Sequence, residues 1–212
     1  MKKIILISVL LLFAFAQKSF SQNDTLKLKG AIYSFVPQYL INHGIRIDYE
    51  RQISPRSLIQ FCPQFYLGEK KSNRTDDPYY SESSSNDDFN NISGFGLNIY
   101  HKVFANQNFL KCGIYFSDGI SYSYFDIDYY EEYLGETIST SAYINKYGAD
   151  LLLGYQFFFR NKLSLDIYTG VGTRISTMTG TGTDKDRFSS TYFGYNYDGN
   201  LLHGGVRIGL IL

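Results

Sequence analysis

The segment LSLDIYTGVGTRIS, residues 163 to 176, alternates with a strict period of two. Leu163, Leu165, Ile167, Val171 and Ile175 share one face, and Asp166 and Arg174 share the other. Successive side chains of a β-strand point to opposite sides of the sheet, so this spacing predicts a strand. Alternation alone leaves open which face meets water. One answer is a soluble barrel with a greasy core, the other a barrel turned inside out in a membrane.

Seven further segments carry a strand signal, giving strands near 27–36, 44–53, 57–68, 93–104, 109–122, 143–158, 163–176 and 201–212. Their connections alternate in length. SPR at 54–56, ANQN at 105–108 and RNK at 160–162 are tight turns, whereas 70–91, 125–140 and 179–200 are long, polar and rich in Ser, Asp, Asn and Tyr. The first connection, near 37–43, is shorter and is marked as a turn by Pro37 and the Asn42-His43-Gly44 run. Short turns at one end and long loops at the other predict an all-β, closed antiparallel up-and-down transmembrane barrel, with eight strands and the short end facing the periplasm.

The polar face decides between soluble and membrane barrels. On the second strand Arg46, Asp48 and Glu50 oppose Ile45, Ile47 and Tyr49. The fourth, sixth and eighth strands repeat this, with Lys102, Lys146, Asp150 and Arg207 interspersed with glycine. A solvated face would be dense in Lys, Glu and Thr; small residues among charges of both signs suit the narrow interior of an eight-stranded barrel. The apolar faces then point into lipid, where a closed barrel satisfies every backbone group. Arg46, Asp48, Glu50, Lys102, Lys111, Lys146, Asp150, Asp166, Arg174 and Arg207 are therefore expected to point inward and pair, leaving a non-conducting lumen.

Aromatic girdles are expected at the rims, from Phe104, Phe109, Phe157 and Phe159 at the short-turn end and Tyr66, Tyr122, Tyr124 and Tyr143 at the other. Asp118 interrupts the apolar face of the fifth strand and reads as an outer boundary marker or a bulge. In the loops, Tyr79, Tyr80, Tyr129, Tyr130, Tyr192, Tyr195 and Tyr197 are candidate contacts for an extracellular protein or glycan ligand, because Tyr gives contact area at modest entropy cost.

Residues 1–21 read as a secretory signal peptide: Lys2 and Lys3 lead, Ile4 to Ala16 is almost wholly apolar, and Ser19 and Ser21 supply small residues near a cleavage site. That apolar run is too short for the ~20 residues of a membrane-spanning helix. The mature unit is then residues 22–212, a single barrel domain. Without Lys2, Lys3 and Lys18, the chain's 20 basic residues fall to 17 against 20 acidic, a formal charge of −3. Such a surface offers no basic footprint for nucleic acid.

The signal ending SFSQ, GIRIDYERQISPRSLIQFCPQF, LSLDIYTGVGTRIS and the terminal HGGVRIGLIL resemble the small outer-membrane β-barrel proteins of Bacteroidota. These belong to the broad class of eight-stranded barrels related in shape to OmpA and OmpX. The resemblance implies an integral outer-membrane protein, in contact with outer-membrane lipid and lipopolysaccharide and folded by the barrel assembly machinery. Asp24-Thr25-Leu26 is similar to an O-glycosylation signal of that phylum.

Three histidines are the candidates for acid–base chemistry. His43 reads as a solvated turn residue and His101 as an interfacial ring on the lipid-facing parity. His203 is expected to face the lumen opposite residue 173 or so, closer to Arg174 than to Asp166, which gives no Ser-His-Asp arrangement. No zinc spacing or EF-hand pattern occurs, so neither metal nor cofactor is expected. Cys62 and Cys112 fall two strands apart, beyond disulfide reach. The leading expectation is a non-enzymatic structural or surface-interaction barrel; a lipid A-modifying enzyme and a soluble periplasmic ligand-binding barrel are the alternatives.

Overall fold

The computed structural model describes residues 30–69, 90–105, 112–133, 136–159, 162–180, 188–189 and 194–212. The proposed signal peptide lies outside them. Eight strands run in order: β1 (Ala31–Phe35), β2 (Gly44–Ser54), β3 (Ser57–Glu69), β4 (Asn91–Phe104), β5 (Cys112–Tyr133), β6 (Glu136–Phe159), β7 (Leu163–Gly180) and β8 (Gly199–Ile211). Each pairs antiparallel with its sequence neighbours, and β1 pairs with β8, so the sheet closes on itself. The fold is an all-β, up-and-down closed barrel.

Alternation along the strands sorts the side chains. On β7, Ser164, Asp166 and Tyr168 point inward and are buried, while Leu163, Ile167, Val171 and Ile175 are exposed on the outer wall. The same holds around the ring: Ile45, Ile47, Phe61, Phe95, Leu97, Ile114, Phe116, Leu151, Leu153, Ile208 and Leu210 form an exposed apolar exterior. Monomeric soluble proteins rarely expose large apolar patches.

The hairpin of β5 and β6 corrects the expected loop at 125–140. Their ladder runs without a register shift from Cys112↔Phe157 to Tyr133↔Glu136. Along β5 the sense of the two faces exchanges near Tyr124. Below it Ile114, Phe116 and Ile120 point out while Ser117 and Ser123 point in; above it Asp126 and Asp128 point out while Phe125, Ile127 and Tyr129 are buried inside. The extension therefore has the ordinary polarity of a protein in water. With Ile92, Ala142, Ile144, Tyr66 and Phe188, its inner residues form an apolar cap at the long-loop end.

Three expected girdle and boundary residues sit elsewhere. Phe104 and Tyr66 are buried inside the barrel, because they share parity with Lys102 and Gln64. Asp118 lies neither at an outer boundary nor at a bulge: β5 pairs regularly on both sides of it, and the apolar outer row continues above it through Ile120. Its register partner is His101, whose Nδ1 lies 3.6 Å from Asp118 Oδ1 on the outer wall. Tyr122, Tyr124 and Tyr143 do face outward, and Phe95, Tyr122, Tyr124 and Tyr147 form a cluster of ring contacts just below the exchange of polarity. Phe157 and Phe159 stack near the opposite rim, whereas Phe109 lies outside the described residues.

The connection from β1 to β2 is a 3-10 helix, η1 (Pro37–Asn42), ended by His43 in the left-handed region at φ 54°. β1 is short, so β8 has a β1 partner only over Ile208–Ile211. Above Ile208, the β1-facing edge of β8 has no strand beside it among the described residues.

Candidate functional site

The lumen is built in layers. At the short-turn end, Ile32, Leu58 and Phe104 close the floor, with Ile211 and Phe158 packed against them. Directly above is a ring of six ionised side chains, three of each sign. Arg46 donates from Nε and Nη2 to Asp48 Oδ1 and Oδ2 at 2.6 and 2.9 Å, the two-pronged geometry that fits a guanidinium to a carboxylate. Gln60 donates to Asp48 at 2.7 Å. Arg207 Nε lies 3.0 Å from Asp48 Oδ2, and Arg207 Nη1 donates to Asp166 Oδ2 at 2.6 Å. Lys102 donates to both Glu50 and Asp166, at 2.7 and 2.8 Å.

Tyrosines knit this ring together. The Tyr115 hydroxyl donates to Asp166 Oδ1 at 2.7 Å and accepts from Arg207 at 3.1 Å. The Arg207 guanidinium lies 3.8 Å from the Tyr168 ring centroid, and Lys102 Nζ 4.7 Å from that of Tyr115. One level up, Asp150 accepts from Tyr100 at 2.8 Å and from Arg174 at 2.6 Å, with His203 Nε2 at 3.3 Å.

Of the residues singled out in the sequence, Arg46, Asp48, Glu50, Lys102, Asp166 and Arg207 are thus brought into one buried ring, and Asp150 and Arg174 into a second group. Lys146 points inward but has no carboxylate partner among the described residues; it donates to the Gly194 carbonyl at 2.6 Å. Lys111 lies outside the described residues. His203 faces Gly170 rather than residue 173, and its acid neighbour is Asp150, two strands away. Network residues not singled out include Gln60, Tyr100, Tyr115 and Tyr168. Each shares the inward parity, and that parity was the available signal.

The loop tyrosines divide. Tyr129 is buried and packs edge-on against Phe188 at 5.5 Å, so it is not a surface contact; the inward parity of the extended β5 puts it in the cap. Tyr195 packs on Phe125 at 5.0 Å and Tyr197 donates to the Asn200 carbonyl at 2.6 Å. Tyr130 is exposed. Tyr79, Tyr80 and Tyr192 lie outside the described residues. Cys62 is a free, buried thiol in the lumen. No group of His, Cys, Asp and Glu suited to a metal ion occurs among the described residues.

Fold and lumen together define a class: a closed eight-stranded barrel, with paired charges buried inside it and apolar residues on its outside. A scan against protein-family models gives no match, and a search of curated proteins gives none. Among solved structures, the chain is similar to the crystal structure of Acinetobacter baumannii CarO, at 10% identity and a TM-score of 0.32, over 90% of this chain and 100% of that one.

Proposed function

We propose that this chain is an integral outer-membrane β-barrel with a structural or surface-interaction role, closed to bulk solute flow, whose long-loop end is its contact surface. The observation that carries the reading is the exchange of polarity along β5. The eleven residues Ile114 to Tyr124 present an apolar outer row interrupted only by Asp118, and Asp126 and Asp128 follow on the same parity. Such a length matches what a tilted strand needs to cross the hydrocarbon core. Charges inside and apolar residues outside reverse the order that water imposes, and the ordinary order returns where the hairpin leaves the band.

In this reading the exterior meets outer-membrane lipid and, at the upper aromatic cluster, lipopolysaccharide. The barrel assembly machinery inserts the chain after the signal peptide is removed. Tyr130, on the β5–β6 extension, is the leading described contact residue for a protein or glycan partner. Membrane fractionation with gel mobility before and after boiling tests the architecture: the folded barrel is expected in the envelope fraction with heat-dependent mobility, and a soluble protein of unshifted mobility overturns it. An epitope inserted at residues 134–135 is expected to be labelled on intact cells, and one inserted at 55–56 is not. The reverse pattern overturns the orientation.

A further inference from the structure

Between the charged ring and the apolar cap lies a chamber of about 440 Å³. Arg46, Lys146, Arg174, His203 and Gln64 line it, and among the described residues no carboxylate does. Arg46 is neutralised by Asp48 beneath, and Arg174 and His203 share Asp150. Among the described residues Lys146 is left without a carboxylate, with the neutral Gly194 carbonyl as its acceptor. The Nε2 of Gln64, a residue 2% exposed, has no hydrogen-bond partner among the described residues. A partly buried ammonium without a counter-charge and an unused buried donor are both costly, and an anion relieves both at once.

Among the described residues, one way in is lateral. Over the top, residues 194–197 are held down by Ser176, which donates to the Asn196 carbonyl at 2.7 Å, and by Tyr195 on Phe125. On the side, the chamber touches consecutive residues Leu201, Leu202, His203 and Gly204. Their side chains alternate between the two faces of the sheet, so the chamber reaches round the unpaired edge of β8 instead of ending against the inner wall. Ile41 of η1 and Leu202 flank this gap and are 81% and 78% exposed, apolar groups standing at the mouth of a cationic chamber. Gln38 reaches in beneath them to donate to the Tyr168 hydroxyl at 3.0 Å, over Gly205, where an added Cβ would lie 1.8 Å from its Nε2.

We propose that the chamber binds the headgroup of an anionic single-chain amphiphile, a carboxylate or phosphate on an alkyl chain, with the chain leaving past Ile41 and Leu202 into the surrounding apolar phase. Lys146 and Arg174 hold the anion, Gln64 donates to it, and the gap beside β8 selects for an attached tail. The inference rests on the membrane reading for the source of the ligand, but the test does not require a membrane.

Purified protein in maltoside micelles is titrated with dodecanoate, dodecyl phosphate and inorganic phosphate, with bound ligand read by native mass spectrometry. One saturable equivalent of an alkyl anion is expected, and the tighter of the two identifies the headgroup. Inorganic phosphate should bind roughly a hundredfold more weakly, because it buries no chain. Lys146→Met should weaken the alkyl anion about tenfold by removing a charge-assisted contact, while Ile41→Ser with Leu202→Ser should weaken the alkyl anions and leave phosphate unchanged. Heat-dependent mobility checks that each variant is folded, and Lys146→Gln serves if the Met variant is not. No saturable binding by folded protein, unchanged binding in a folded Lys146 variant, or inorganic phosphate as tight as its dodecyl ester overturns the proposal. Soluble fractionation of the protein would overturn the membrane reading and leave these binding results standing.

Discussion

The ring of Tyr100 lies over Gly119, its register partner on β5, so closely that a Cβ at residue 119 would sit 2.1 Å from Tyr100 Cδ1. The same pairing recurs at Tyr115 and Gly154, where the gap would be 2.3 Å. Glycine here makes room for a neighbour's ring, and the ring carries its hydroxyl to a carboxylate, Asp150 in one case and Asp166 in the other. At both positions the absence of a glycine side chain is what lets the neighbouring tyrosine ring lie flat across the strand.

Gly119→Val is accordingly expected to push Tyr100 off Asp150 and destabilise the barrel by roughly 1 to 3 kcal/mol, the usual cost of overpacking. Tyr100→Phe, which keeps the ring and loses the hydrogen bond to the carboxylate, should cost about 1.5 to 3 kcal/mol. Urea-induced unfolding in lipid vesicles measures both. An unchanged midpoint for Gly119→Val would show that the ring moves freely.

Asp166 bonds Lys102, Arg207 and Tyr115 at once, so its loss leaves cations buried with too few acceptors. Asp166→Leu should destabilise by about 3 to 5 kcal/mol. Adding Arg207→Met restores the balance of signs, and the pair should cost less than the sum of the single changes by more than about 1 kcal/mol. Additive costs in the double-mutant cycle would mean that the two side chains act independently.

Arg46, Asp48, Glu50, Lys102, Asp166 and Arg207 are buried and paired across the lumen, above an apolar floor. Purified protein in planar bilayers should show no stable porin-sized conductance. Reproducible large openings from the intact chain would contradict the packing around Asp48 and Arg207.

Parity was what made this fold legible. Arg46, Asp48 and Glu50 on one strand and Asp166 on another, each between apolar residues, are enough to separate inside from outside, and strand ends such as Ser57 and Leu163 match the turn signals closely. The β5–β6 extension was not legible by the same rule. FDIDYY keeps the period of two, but its apolar residues fall on the inward parity and its acids on the outward one. A search for an apolar outer face therefore reads a strand as a polar loop, and with it Tyr129 as a surface residue. The chamber around Lys146 was hidden for another reason: the partners that meet there come from strands far apart in sequence, and the gap beside β8 arises because β1 is only five residues long. Neither is a property of any one segment.

The exchange of polarity near Tyr124 yields the sharpest contrast between neighbouring positions on one strand. Ile120 and Asp126 share the outward face of β5, six residues apart. If the apolar band is in lipid, Ile120→Arg places a charge near its middle and should cost roughly 2 to 4 kcal/mol of folding free energy in vesicles, whereas Asp126→Arg lies beyond the band and should cost less than about 1 kcal/mol. In a soluble barrel both positions are solvated, and both changes should be nearly neutral. Asp118 adds an internal reference, since it lies within the band with His101 as its neighbour. Removing that neighbour by His101→Leu should destabilise in vesicles, because an acid facing lipid is then left without its polar partner, and Asp118→Asn should recover some of the loss. Refolding yields and urea midpoints across these four variants measure the depth profile directly. Equal midpoints for Ile120→Arg and Asp126→Arg would remove the membrane boundary from this strand.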